Sequence, residues 1–83
     1  MGRAWVLVAD SMDYGGTDTI IGVFETLEEG QVALIHYLQE AIQRHPSNKA
    51  LLDHDYTLTC WRGTQEVETW TKSGRNAWQI YPT

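Results

Sequence analysis

One amphipathic segment stands between two pairs of short β-type segments, and this arrangement restricts the possible folds. Thr26-Leu-Glu-Glu29 has the pattern of a capping box, in which the Thr26 hydroxyl accepts a hydrogen bond from the Glu29 amide and the Glu29 carboxylate reaches back to the Thr26 amide. Apolar residues then recur at helical spacing: Leu34, Ile35, Leu38, Ala41 and Ile42. Because the residue before a proline disfavours helical geometry, Pro46 ends the pattern. We predict one helix over residues 27–44.

Two strands are predicted before this helix. Residues 5–9 are apolar on both alternating faces, which favours a central and well-covered strand. Residues 10–18 are rich in turn formers, and residues 19–24 form a second strand that we expect to be antiparallel to the first. Gly22 within that strand indicates a bulge or a close packing contact.

A hairpin is predicted after the helix, with strands over residues 56–62 and 67–72 and a possible fifth strand over residues 77–81. Between helix and hairpin, Ser47 is a candidate cap for a short turn through Leu51-Leu52. The fold class is therefore α+β. Residues 1–83 form a single domain with an antiparallel sheet of four to five strands, the element order β-β-α-β-β, and one main helix on one face.

The hairpin carries two tryptophans whose faces depend on its turn. If the turn centres on Thr64-Gln65, Trp61 and Trp70 share one face with Thr59, and the core-like residues Leu58, Cys60 and Val67 share the other. A turn shifted by one residue would move one tryptophan across the sheet. Since one helix covers one face, the tryptophans lie either on an open face or beneath the helix as core residues.

The negative charge is concentrated in the first half of the chain. The net charge is −5, and residues 1–43 hold seven of the eleven acids but one of the six basic residues. Such a field repels nucleic acid and attracts basic surfaces. The alternative is that it only keeps the domain in solution.

No motif indicates catalysis, a metal or a cofactor. The aspartates at positions 10, 13 and 18 lack the calcium-loop pattern, and Asp53-His54-Asp55 is too extended to converge on one ion. Cys60 is the lone cysteine, which excludes an internal disulfide and fits a small buried residue in a cytoplasmic protein. No apolar run has the length of a membrane span. We therefore predict a protein that is not an enzyme.

The favoured hypothesis is a protein-binding module whose partner has a basic surface. Trp and Arg are typical interface anchors. The candidate partner-binding residues are Trp61, Trp70, Thr59, Arg62, Asp13, Tyr14, Asp18, Glu28 and Glu29. The same face is a candidate homodimer interface through Trp61 and Trp70. The main alternative is a single-stranded nucleic-acid binder that uses Trp61, Trp70, Arg62, Lys72 and Arg75, and a small metal- or cofactor-dependent enzyme is third.

Residues 5–30 resemble a group of small, largely uncharacterised bacterial and phage proteins. The matching segments are Val6-Leu-Val8, Tyr14-Gly-Gly-Thr-Asp18, Ile21-Gly-Val-Phe24 and Thr26-Leu-Glu-Glu29. The resemblance implies an α+β fold and an origin in a mobile element, and it carries over no catalytic residue. By analogy, it suggests an inhibitor of a host defence or nucleic-acid-processing protein, of the anti-CRISPR kind.

Overall fold

A computed structural model of the protein describes residues 2–10 and 18–81, and these form one antiparallel sheet with helices on one side. The elements in chain order are β1 (Ala4–Ala9), β2 (Thr19–Phe24), α1 (Leu27–Arg44), a 3-10 helix (Pro46–Asp53), β3 (Asp55–Arg62), β4 (Gln65–Ser73) and β5 (Gln79–Tyr81). The α+β class, the β-β-α-β-β order and the possible fifth strand are confirmed.

The strand order across the sheet is β2-β1-β3-β4-β5, and every neighbouring pair is antiparallel. β1 lies between β2 and β3, as its apolar composition predicted. The β1–β2 register shifts between Leu7 and Val8, which leaves Ile21 as an extra residue in β2. Beside this bulge, a Cβ on Gly22 would lie 2.8 Å from the Phe24 ring. Both features expected of Gly22 are therefore present.

The start of α1 follows the predicted capping pattern with one difference. The Thr26 hydroxyl accepts a hydrogen bond from the Glu29 amide at 3.1 Å. The Glu29 carboxylate, however, accepts from the amide of Glu25 at 3.3 Å and not from that of Thr26. The cap therefore also fixes the residue that joins β2 to the helix.

The connection after α1 differs from the prediction. The 3-10 helix begins at Pro46, and its N-cap residue, His45, makes no side-chain capping bond. Ser47 lies inside this helix, so its predicted capping role was wrong. The segment is instead held by two side chains. The Asn48 amide donates to the Ala41 carbonyl at 2.7 Å, and the Tyr56 hydroxyl donates to the Leu51 carbonyl at 2.6 Å.

The core lies between α1 and the central strands. Leu34 and Leu38 of the helix are buried against a row of sheet residues: Trp5, Leu7, Tyr56, Leu58 and Cys60. Cys60 is fully buried, as predicted. Gly30 gives the closest approach, since a Cβ there would lie 2.6 Å from Cδ2 of Leu58. Ile35, which was predicted to share the packing face of the helix, is 54% exposed and lies at its margin.

Tyr56 gives this core a dependence on alkaline pH. Burial, with a smaller effect from Tyr37, raises the pKa of Tyr56 from 10.0 to about 12. Because the unfolded chain loses this proton first, the stability contributed by Tyr56 is complete below pH 10 and is lost as the pH rises towards 12. We expect Tyr56→Phe to cost about 1 kcal/mol at neutral pH and to flatten this alkaline loss. Urea unfolding of both proteins from neutral to alkaline pH measures the difference, and parallel pH profiles would contradict it.

Candidate functional site

The turn of the β3–β4 hairpin sets which side chains reach each face of the sheet. Arg62 pairs with Gln65, so the turn residues are Gly63 and Thr64. Gly63 has a φ of 63°, which fits the first central position of a type II′ turn. The turn therefore lies one residue earlier than the sequence predicted.

A bulge in β4 changes the register again. Trp61 pairs with Glu66 but Cys60 pairs with Glu68, so Val67 is an extra residue. Beyond the bulge, Leu58 pairs with Trp70. Since directly paired residues project to the same face, Trp70 lies on the helix side of the sheet. The prediction that Trp61 and Trp70 share a face was wrong.

Trp70 is a core residue and Trp61 is not. The half-buried Trp70 packs against the core cluster, and its Nε1 donates to the Glu68 carboxylate at 2.6 Å. Trp61 follows the buried Cys60 and therefore projects to the opposite face, where Thr59 and Thr57 alternate with buried neighbours. Val67, predicted as a core residue, is 44% exposed.

We call the side of the sheet opposite the helices the open face. By register it comprises Ala4, Val6, Val8, Ile20, Val23, Thr57, Thr59, Trp61, Thr69, Thr71, Gln79 and Tyr81. α1 packs on β1, β2 and β3 from the other side, and the 3-10 helix packs on α1. Ile20, Val23 and Tyr81 are each more than 60% exposed. The open face thus presents aliphatic and aromatic side chains around a threonine-rich centre.

The open face is bordered by acids. At one end Asp10 accepts a hydrogen bond from the Thr57 hydroxyl at 3.2 Å, and Asp55 accepts one from the Ser73 hydroxyl at 3.2 Å. Burial raises the pKa of Asp10, the bond from Thr57 opposes this, and the charges of Asp18 and Asp55 add to the rise. At the other end Glu66 pairs with Trp61. Acids therefore lie at both ends of the strands.

The basic residues of the hairpin lie away from this face. Arg62 follows Trp61 and projects to the helix side by register, and Lys72 pairs with the buried Tyr56. Lys72 also borders a groove of about 320 Å³ with Ile35 and Ile42 of α1, and its amino group donates to the Gly74 carbonyl. Arg75 lies in the loop after β4 and pairs with Asp53 at 3.2 Å. The predicted platform for nucleic acid is therefore divided between two sides of the protein.

The other predicted partner-binding residues have separate places. Asp13 and Tyr14 lie outside the described residues. Asp18 is exposed just before β2 and contributes to the field at Asp10. Glu28 is exposed in the first turn of α1, while Glu29 is part of the cap. The structure does not bring Glu28 and Glu29 onto the open face, because they belong to the helix on the other side.

Five exposed or half-exposed apolar residues of the open face were not predicted as site residues: Val6, Val8, Ile20, Val23 and Tyr81. The signal for them was present in the sequence. β1 is apolar on both alternating faces, but one helix covers only one of them. The sequence pattern predicts that both rows are covered, but the described part of the chain contains no second long helix to cover the second row.

Within the described ranges, no group of three or more His, Cys, Asp or Glu side chains is placed to hold a metal ion. Neither helix in these ranges combines the length and apolarity that crossing a bilayer requires. Comparisons of the chain with protein-family models, curated proteins and solved structures found no significant match. The resemblance to small bacterial and phage proteins therefore stays a prediction.

Proposed function

We propose that the protein is a non-enzymatic binding module that contacts another protein through the open face. The observation that supports this is a set of apolar residues on the sheet face opposite both helices, of which Ile20, Val23 and Tyr81 are exposed and Val6, Val8 and Trp61 are half-buried. Several large apolar side chains exposed on one face are typical of interaction sites. Trp61 supplies the type of anchor on which binding energy commonly concentrates.

The charges around the open face specify the partner. Asp10 and Asp55 at one end and Glu66 at the other favour a partner with an apolar patch that is bordered by lysines or arginines. Because these contacts lie at the rim of the interface, we expect salt to weaken binding several-fold. An affinity that does not change with salt would contradict the electrostatic part of the proposal.

A basic surface is a common property of nucleic-acid-processing proteins, and we propose this class of partner, with inhibition as the outcome. The cytoplasm suits this role, since Cys60 is a free buried thiol. Nucleic acid itself is a poor partner for the open face, because Arg62 and Lys72 lie on the helix side. A mobility-shift titration with single-stranded DNA and RNA is expected to show no complex.

Site-specific photo-crosslinking gives the first test. A benzophenone amino acid at Thr59 is placed in the middle of the open face, and the same group at Glu40 is placed on an exposed turn of α1. We expect the Thr59 probe to capture a protein that the Glu40 probe does not. Equal capture by both probes, or capture by neither, would argue against a binding role for this face.

The second test is the affinity of the captured protein for two variants that each add one lysine. Thr59→Lys introduces a charge into the uncharged, threonine-rich centre of the open face, whereas Glu40→Lys changes an exposed helix residue. We expect at least about a tenfold loss of affinity for Thr59→Lys, because the charge must be desolvated in the complex. Glu40→Lys should retain affinity within about twofold. Thermal unfolding of both variants verifies that the fold is intact, and a similar loss for both would overturn the assignment.

A further inference from the structure

The two edges of the sheet differ in how well they are protected. β2 and β5 are the edge strands. β5 has three residues, and a short edge strand offers little backbone to another chain. β2 has six residues, Thr19–Phe24, and contains no proline and no charged residue. β2 thus lacks two of the devices that usually prevent strand pairing at an edge.

The outer edge of β2 has no neighbouring strand among the described residues. In the described part of the chain β2 pairs with β1 alone. Within the same part, no turn or loop residue forms a backbone hydrogen bond with residues 19–24. The bulge at Ile21 interrupts the pairing with β1 but leaves regular pairs on both sides, at Ile20 and at Gly22. Ile20 and Val23 are 66% and 61% exposed. Among the described residues, this edge therefore offers an incoming strand backbone groups that have no strand partner, beside exposed apolar side chains.

The charges at the two ends of β2 determine which kind of strand can pair with its outer edge. Asp18 precedes the strand and Glu25 follows it, and Glu28 lies in the adjoining helical turn. Antiparallel pairing with β2 of a second copy would place Asp18 near Glu25 of that copy, which like-charge repulsion disfavours. A strand with basic residues at its ends would instead meet opposite charges.

We propose that β2 accepts an extended segment of a partner protein by strand addition, and that this segment has apolar residues at alternating positions and a lysine or arginine at each end. Backbone hydrogen bonds to β2 provide the affinity, and the terminal charges fix the register. This site adjoins the open face and shares Ile20 and Val23 with it, but it binds through the backbone of β2.

The test uses a blocked peptide of alternating valine and threonine with a lysine at each end. At millimolar peptide, we expect amide chemical-shift changes and slower hydrogen exchange at residues 19–24, and none at β5. A peptide with N-methyl groups on the residues that face β2 should not bind, since it has lost its donors. The same peptide with glutamates at its ends should bind at least about fivefold more weakly.

Matched variants of the protein complete the test. We expect Glu25→Gln to weaken binding of the lysine-ended peptide about two- to fivefold, and Glu40→Gln to leave it unchanged. No exchange protection in β2, protection that appears with protein concentration and without peptide, or equal binding of the N-methylated peptide would each overturn the proposal. Because Thr59→Lys leaves β2 unaltered, the failure of this edge site and the failure of the open face are distinguishable.

Discussion

Trp70→Ala is expected to lower the free energy of unfolding by about 2–4 kcal/mol, whereas Trp61→Ala should lower it by about 1 kcal/mol or less. The two residues are of the same type in the same hairpin, but their surroundings differ. Trp70 packs on the core opposite Leu58, and its removal leaves a cavity and the unpaired Glu68 carboxylate. Trp61 lies half-buried on the open face, on the side of the sheet opposite α1 and the 3-10 helix.

Urea unfolding monitored by far-UV circular dichroism compares the two variants without relying on tryptophan fluorescence. The two variants also distinguish an effect on stability from an effect on binding, since Trp61→Ala should abolish most of the affinity for the captured partner. A larger loss of stability for Trp61→Ala than for Trp70→Ala would mean that the hairpin register is different from the one described.

Leu58→Ala is expected to cost about 3–5 kcal/mol, which is a large fraction of the total stability of a domain of this size. Leu58 is fully buried at the middle of β3, beside Trp70 of β4 and beneath α1. Its methyl groups touch the helix where Gly30 has no side chain. The cost therefore includes both lost burial and a cavity beneath the helix.

A double-mutant cycle with Gly30 tests this contact. Gly30→Ala alone should destabilise by about 1–2 kcal/mol, because the new Cβ would lie 2.6 Å from Leu58 Cδ2. In the Leu58→Ala background that clash is gone, and the higher helix propensity of alanine should make the same change stabilising by up to about 1 kcal/mol. Additive free energies in the cycle would show that the helix and Leu58 are not in contact.

Local patterns were sufficient to predict most of the elements. The helix boundaries followed from Thr26, the apolar spacing and Pro46, and the structure has α1 at Leu27–Arg44. The strands followed from alternation and turn composition, because each is short and bounded by turn formers. Gly22 indicated the irregularity in β2 because its missing side chain is needed beside Phe24.

The hairpin register was not predictable to the required accuracy. Gly63 was a signal for a two-residue turn, because a positive φ is required there, but the turn was placed one residue later. The extra Val67 adds a second shift that no local pattern indicated. Moving a two-residue turn by one residue changes the pairing by two residues and keeps the faces, so the single extra residue at the bulge is what moves Trp70 to the helix side.

The surface part of the site depended on tertiary arrangement. The apolar alternation of β1 predicted a central strand, but it could not indicate which of its two faces α1 would cover. That choice is made by Gly30, which lies against Leu58, and by Leu34, which is buried in the same core cluster as Leu7. It leaves Val6 and Val8 on the open face. The sequence therefore predicts Thr59 and Trp61 as candidate site residues but not their aliphatic neighbours.

NMR mapping of the protein on addition of the partner captured at Thr59 tests most directly whether the open face is the binding surface. We expect methyl and amide signals of the open face to change together, at Val6, Val8, Thr59 and the Trp61 indole, while signals of Leu34 in the helix-side core stay in place. Changes confined to α1 and the 3-10 helix, with the open face unperturbed, would contradict this expectation.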